Sequence, residues 1–189
     1  MKKEERFPYK FGIIENDLDK QFFYSNTWCV EKYPSYERII VAPKDNQIKL
    51  ILDLLENFAP KYWCLYVLII SRMENEPARY QCPYPLDFND ISNFVSKFKN
   101  FLETDGRHHL WVGSATTKQL LVYDHHNVIY LYDDVEKSSQ YLKKHFSMEP
   151  IKFPVPHTHM YNVENDRFEN DILNYWEWQK FPLKEQDTY

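Results

Sequence analysis

The stretch FPVPHTHMYN, residues 153–162, sets His157 and His159 one residue apart, behind a pair of prolines and ahead of a Tyr-Asn pair. Side chains on an extended chain alternate with period two, so both imidazoles project to the same side, a geometry that can chelate zinc. Further ligands would have to come from His108, His109, His125, His126 or the acids Asp124, Asp133 and Asp134. His108 and His109 fall on opposite faces of any strand and cannot share one ion without a twist or bulge. In YDHHN, residues 123–127, Asp124 and Asn127 suit a hairpin turn and histidine tolerates unusual backbone angles, so His125 and His126 have a turn explanation as well. The chain holds no HExxH motif. The Pro-His-x-His stretch is therefore read as a stiff structural edge that positions the last helix, with a metal site at His157 and His159, completed by His125 or His126, as the alternative.

Other catalytic chemistry has weaker candidates. Ser114 in GSAT lacks the G-x-S-x-G turn, and Cys29, Cys64 and Cys82 have no adjacent base in sequence. Asp133 and Asp134 immediately precede a helix, where a carboxylate caps free N–H groups and complements the helix dipole. We expect no enzyme and no cofactor.

Composition narrows the field further. Three glycines leave no Gly-rich phosphate loop, and a net charge of −5 gives no basic footprint for nucleic acid. Aromatic residues reach 17% of the chain, much of it tyrosine and tryptophan, which serve cores and protein interfaces alike. Three scattered cysteines without a CxxC pair point to a reducing compartment. MKKEERFPYKFG carries charge but no following apolar run, and YWCLYVLII is too short to span a bilayer. These features predict a cytoplasmic protein without a membrane segment.

The elements that would position these residues are read from periodicity. RIIVAP (38–43) reads as a short strand stopped by its proline, and residues 45–59 as an amphipathic helix with Ile48, Ile51, Leu52, Leu54, Leu55 and Phe58 at helical spacing. KYWCLYVLIIS (61–71) is apolar nearly throughout, as a central strand buried on both faces should be. Residues 72–86 read as an irregular loop and residues 87–106 as one helix ending at Gly106. HHLWVGSA, KQLLVYD and NVIYLYD make three hairpin-linked strands, followed by a helix at 134–146, an edge-like strand IKFPVP (151–156) and a last helix at 164–179. The order β-α-β-α-β-β-β-α-β-α predicts one α+β domain over residues 1–189, a mixed and mainly antiparallel sheet with helices against it, with residues 1–27 as a loosely ordered extension.

The closing segment, 161–183, interleaves Tyr161, Phe168, Tyr175, Trp176, Trp178 and Phe181 with acids, a mixture found at protein interfaces. Phe168, Ile172 and Trp176 fall at i, i+4 spacing and are assigned to the core, leaving Tyr175 and Trp178 as the better exposed pair.

LVYDHHNVIYLYDD, FPVPHTHMYNVENDRFENDIL and the closing W…PLKEQD together resemble small cytoplasmic bacterial immunity proteins, the partners encoded beside polymorphic toxins such as Rhs-type effectors of type VI secretion. The resemblance covers mainly residues 107–187. It rests on Asp124, His126, Asn127, Ile129, Tyr130 and Tyr132 in the hairpin and on Pro156, His157 and His159 after it. The chain departs from the pattern at Asp133 and Asp134, where Gly-Pro would stand, and at Met160, where a third histidine would stand. What the resemblance implies is a protein that binds a cognate toxin domain and blocks its active site or substrate path. The contact residues expected are Glu169, Asp171, Tyr175, Trp176, Glu177 and Trp178, then the tip formed by Asp124, His125, His126 and Asn127. The alternative is a metal-dependent hydrolase or metal-binding domain built on His157 and His159.

Overall fold

The computed structural model describes residues 8–16 and 18–187. Its largest sheet has nine strands: β3 (Thr27–Lys32), β4 (Glu37–Ala42), β5 (Tyr62–Leu68), β6 (Ala78–Gln81), β7 (His108–Ser114), β8 (Leu120–Tyr123), β9 (Ile129–Tyr132), β10 (Ser147–Met148) and β12 (Gln179–Phe181), in the order β10-β3-β4-β9-β8-β7-β5-β6-β12. Every neighbouring pair is antiparallel except β10 with β3. A separate three-stranded sheet joins β1 (Phe11–Glu15), β2 (Leu18–Gln21) and β11 (His157–His159) in the order β11-β1-β2. This is the expected α+β architecture, mainly antiparallel with helices packed against it.

The helices are α1 (Gln47–Leu55), α2 (Phe88–Lys97), α3 (Lys99–Thr104), α4 (Val135–His145) and α5 (Asp166–Leu173). Their apolar stripes, Ile48 and Ile51, Ile91 and Phe94, Phe101, Leu142 and Ile172, meet one face of the large sheet at Val41, Tyr66, Leu110, Leu121 and Leu131 in a single buried core. The period-two alternation of the strands sends the intervening residues to the other face. There the small sheet covers one part, burying Phe11 and Tyr24 against Ile40, Ala42 and Val128. The rest of that face carries half-buried Arg38, Trp111, Leu120, Tyr130 and Tyr132. None of the helices among the described residues is long and apolar enough to cross a membrane.

Several expectations are corrected. The helix expected over 87–106 is two helices, because Phe98 leaves helical geometry at φ −99° and ψ 11°. The helix expected to reach 179 stops at Leu173; the chain then turns so that Tyr175, Trp176 and Trp178 fold back on α2, and Gln179–Phe181 pairs with β6. The edge strand expected at 151–156 falls on His157–His159 instead, since prolines 154 and 156 have no N–H to give a ladder. Residues 72–86 contain β6, and residues 8–27, expected to be loosely ordered, contain β1 and β2 with Phe11 and Tyr24 in a buried cluster. The first seven residues of that extension lie outside the described residues.

Candidate functional site

The β8–β9 hairpin is organised by one carboxylate. Asp124 Oδ1 accepts from the backbone N–H groups of His126 at 2.9 Å and Val128 at 3.0 Å, and Oδ2 stands 2.8 Å from His126 Nδ1 and 3.4 Å from the Tyr130 hydroxyl. Burial by itself would raise this carboxyl; the hydrogen bond from His126 and the neighbouring imidazoles outweigh it and hold Asp124 well below the usual carboxylate range. Asn127 takes the left-handed conformation at φ 63°, and its Oδ1 accepts from the Tyr123 hydroxyl at 2.7 Å. Asparagine tolerates this backbone better than most residues, so the turn chemistry read from the sequence is what forms the tip.

The fixed tip delivers His125 and His126 against β11. Ring centroids are 3.9 Å apart for His125 and His159, 4.4 Å for His125 and His126, and 4.7 Å for His126 and His159. His157 stands 5.3 Å from His126 and 5.4 Å from His159 on the same side of β11, as the His-x-His spacing requires. Gly106 permits the approach: a Cβ there would lie 3.1 Å from the Cβ of His159 and from the carbonyl oxygen of Lys10. The Phe11 ring lies 5.3 Å from both His126 and His157. His109 joins from β7, 4.7 Å from His125, while its neighbour His108 packs on Phe101 on the core side, the opposed placement expected of adjacent strand residues. Burial lowers His109 and His159 to about 4 and holds His125 lower still, so these rings are neutral at pH 7.

A cleft of about 340 Å³ opens on the sheet face opposite the helices, lined by Arg38, Trp111, Leu120, Val122, Tyr130 and Tyr132, with Gln186 of the C-terminal segment at its edge and His109 and Asp124 shared with the histidine cluster. Arg38 lies 4.7 Å above the Tyr130 ring and donates to Glu31 at 2.8 Å and to the Tyr132 hydroxyl at 3.1 Å. Burial works against its charge, but these partners raise its pKa, so it stays cationic. Trp111 Nε1 and His109 Nε2 are buried without a hydrogen-bond partner among the described residues.

The expected contact residues divide. Asp171 and Glu177 are exposed, and Tyr175, Trp176 and Trp178 are half-buried. Trp176 stacks on Phe94 at 4.5 Å, Tyr175 lies 5.2 Å from the same ring, and Trp178 Nε1 donates to the Ile172 carbonyl at 2.9 Å. Glu169 is a correction: it is fully buried, accepts from Arg107 Nη1 at 2.6 Å and from Asn75 Nδ2 at 2.9 Å, and has no free oxygen to offer a partner. Asp124, His125 and Asn127 are likewise buried, and only His126 of the tip is part-exposed.

Three features lay outside the sequence reading. Arg107 is fully buried among Asp105, Asp166 and Glu169, contacting them at 2.8, 2.9 and 2.6 Å, and so ties α5 to the start of β7. Lys10 is buried with its ammonium 3.8 Å from the Tyr123 ring centroid and 3.1 Å from the Leu102 carbonyl. The cleft was invisible because its floor comes from four strands. The one local signal was the alternation of Tyr130 and Tyr132 with Ile129 and Leu131 in β9, which marks a second aromatic face. Comparison with family models, with curated proteins and with solved structures returns no match.

Proposed function

We propose that this protein is a cytoplasmic immunity protein: it binds a cognate antibacterial toxin domain and blocks the active site or substrate path of that domain, without chemistry of its own. The observation that carries this reading is the cleft on the sheet face opposite the helices, where Trp111, Tyr130, Tyr132 and Arg38 stand together. Aromatic rings and arginine in a depression that water must leave on docking are the composition of binding hot spots. The resemblance of residues 107–187 to immunity proteins supports the same reading. The exposed Asp171 and Glu177 and the net charge of −5 suit long-range attraction of a basic toxin, a contribution to association rate that does not require them to lie in the contact.

The test is co-expression with the C-terminal domain of the open reading frame encoded just upstream. The expected outcome is rescue of growth and a stable co-purifying complex. Trp111→Ala should weaken that complex by about 2 kcal/mol, roughly thirtyfold in Kd. Asp171→Lys with Glu177→Lys should slow association and flatten its salt dependence. Toxicity that persists while both proteins are soluble removes the reading for that pair, and rescue with unchanged affinity for Trp111→Ala removes the sheet face as the contact.

The metal-dependent hydrolase reading has the convergence of the histidines in its favour. That convergence argues for a bound ion and assigns no reaction.

A further inference from the structure

We propose that His125, His126 and His159 bind a divalent first-row transition metal of the zinc class, with Asp124 as a positioning residue. This inference is independent of toxin binding and stands whether or not a toxin is the partner.

The ligand nitrogens of these three residues, which come from two segments distant in sequence, all lie within 4.8 Å of one another. Tetrahedral zinc with Zn–N bonds of about 2.0–2.1 Å sets its nitrogens about 3.4 Å apart, so binding draws the nitrogens together and turns the stacked His125 and His159 rings, 26° from parallel, until both lone pairs face the ion. The Nε2 atoms of His125 and His159 are buried and have no hydrogen-bond partner among the described residues. A buried polar atom left unpaired is costly, and a ligand shared by the two rings would satisfy both. The third ring is already oriented: His126 Nδ1 donates to the Asp124 carboxylate at 2.8 Å, which leaves Nε2 with its lone pair for a metal. This is the carboxylate–histidine–metal relay by which an outer residue fixes tautomer and ring angle. His157 is held in the same way, with Nδ1 donating to the Pro154 carbonyl at 2.9 Å, and its ring lies 5.3 Å from that of His126.

The competing explanation is a packed stack of neutral imidazoles resting on Phe11. Packing accounts for the ring spacing but leaves the Nε2 atoms of His125 and His159 without a partner. Neutral imidazole is the form that binds metal. An all-imidazole set without thiolate selects zinc, nickel, copper or iron over the hard cations magnesium and calcium. Met160, which stands where the resemblance would place a further histidine, is not needed for this set.

The experiment uses the full chain without an affinity tag, stripped with a chelator and titrated with Zn²⁺ and with Co²⁺. One equivalent per chain, a raised thermal midpoint with Zn²⁺, and a visible Co²⁺ spectrum of nitrogen ligation are expected. His159→Ala and His126→Gln should each lose stoichiometric binding; the part-exposed ring of His126 keeps the test decisive if the His159 variant fails to fold. Asp124→Asn should weaken Zn²⁺ affinity 10–100-fold and shift the Co²⁺ spectrum, a change that a merely structural role would not produce. His145→Ala, on the exposed end of α4, should bind as the parent does. Folded parent protein that takes up less than about a tenth of an equivalent overturns the proposal, as does full binding by folded His126→Gln.

Discussion

Lys10 shows what burial does to a single side chain. Loss of hydration in the core lowers its pKa to about 7, with Asp124, Asp105 and Glu103 opposing that shift. An unfolded chain keeps this proton up to the ordinary lysine value near 10.4. Between those two values the unfolded state binds more protons than the native state, so unfolding free energy must rise with pH. From pH 7, where the native ammonium is half titrated, to 8.5 the gain should be about 1.6 kcal/mol, against a full slope of about 1.36 kcal/mol per unit. Above that range Cys64 and Cys82 act the other way, since burial raises both thiols and the unfolded chain ionises first. Urea denaturation at pH 7 and 8.5 tests this: the parent should gain stability and Lys10→Met should not. An equal gain in both would assign the effect to other groups.

Among the elements, the three-stranded sheet of β1, β2 and β11 is the one on which the histidine cluster depends. It is narrow, and β1 carries Gly12 where a Cβ would lie 2.7 Å from the Lys20 carbonyl and 2.8 Å from the Tyr9 ring. Lys20 pairs with Ile13, one residue along, so the obstruction is backbone and cannot swing aside. Gly12→Ala should therefore cost about 1–3 kcal/mol, the usual penalty of overpacking. Because Gly12 pairs with Thr158, the damage should pass to β11 and be read as faster amide hydrogen exchange at residues 157–159, with β7 and β8 unaffected. Unchanged exchange in β11 would show that the sheet absorbs the methyl group by moving β2 alone.

Over the whole molecule, a nine-stranded sheet needs both edges protected against pairing with other chains. One edge is the two-residue β10 and the other the three-residue β12, both too short to template further strands. β12 is held in place by a clamp on the C-terminal side of it: Asp187 is fully buried and takes two hydrogen bonds of 2.8 Å from the Arg79 guanidinium, which also lies 5.0 Å from the Trp111 ring. Asp187→Ala leaves the Arg79 charge without its carboxylate, a change that costs about 3–5 kcal/mol for a buried pair. It should also release β12 from β6. The expected result is a lower urea midpoint together with concentration-dependent self-association by light scattering. A monomer of parental stability would mean that β12 holds its place without the clamp.

The sequence by itself determined whatever is written in short-range periodicity. The stripes of α1 and α2, the apolar run of β5, the closely linked strands β7, β8 and β9, and the turn chemistry of Asp124 and Asn127 were all legible because each depends on residues within about one turn or one hairpin. The common side of His157 and His159 and the opposed faces of His108 and His109 came from strand geometry alone. Tertiary structure decided the rest. β6 lies inside a proline-bearing segment and is a strand because β5 and β12 flank it; β1 and β2 are short, β2 is mostly polar, and they form a sheet by pairing with each other and, through β1, with β11. Glu169 was read as surface because nothing local reveals Arg107, distant in sequence, beneath it. The histidine site was half legible: each pair could be seen, but their meeting depends on how the hairpin tip docks against β11. Contacts between distant segments are fixed by register and burial in the assembled fold, and those leave no local pattern to read.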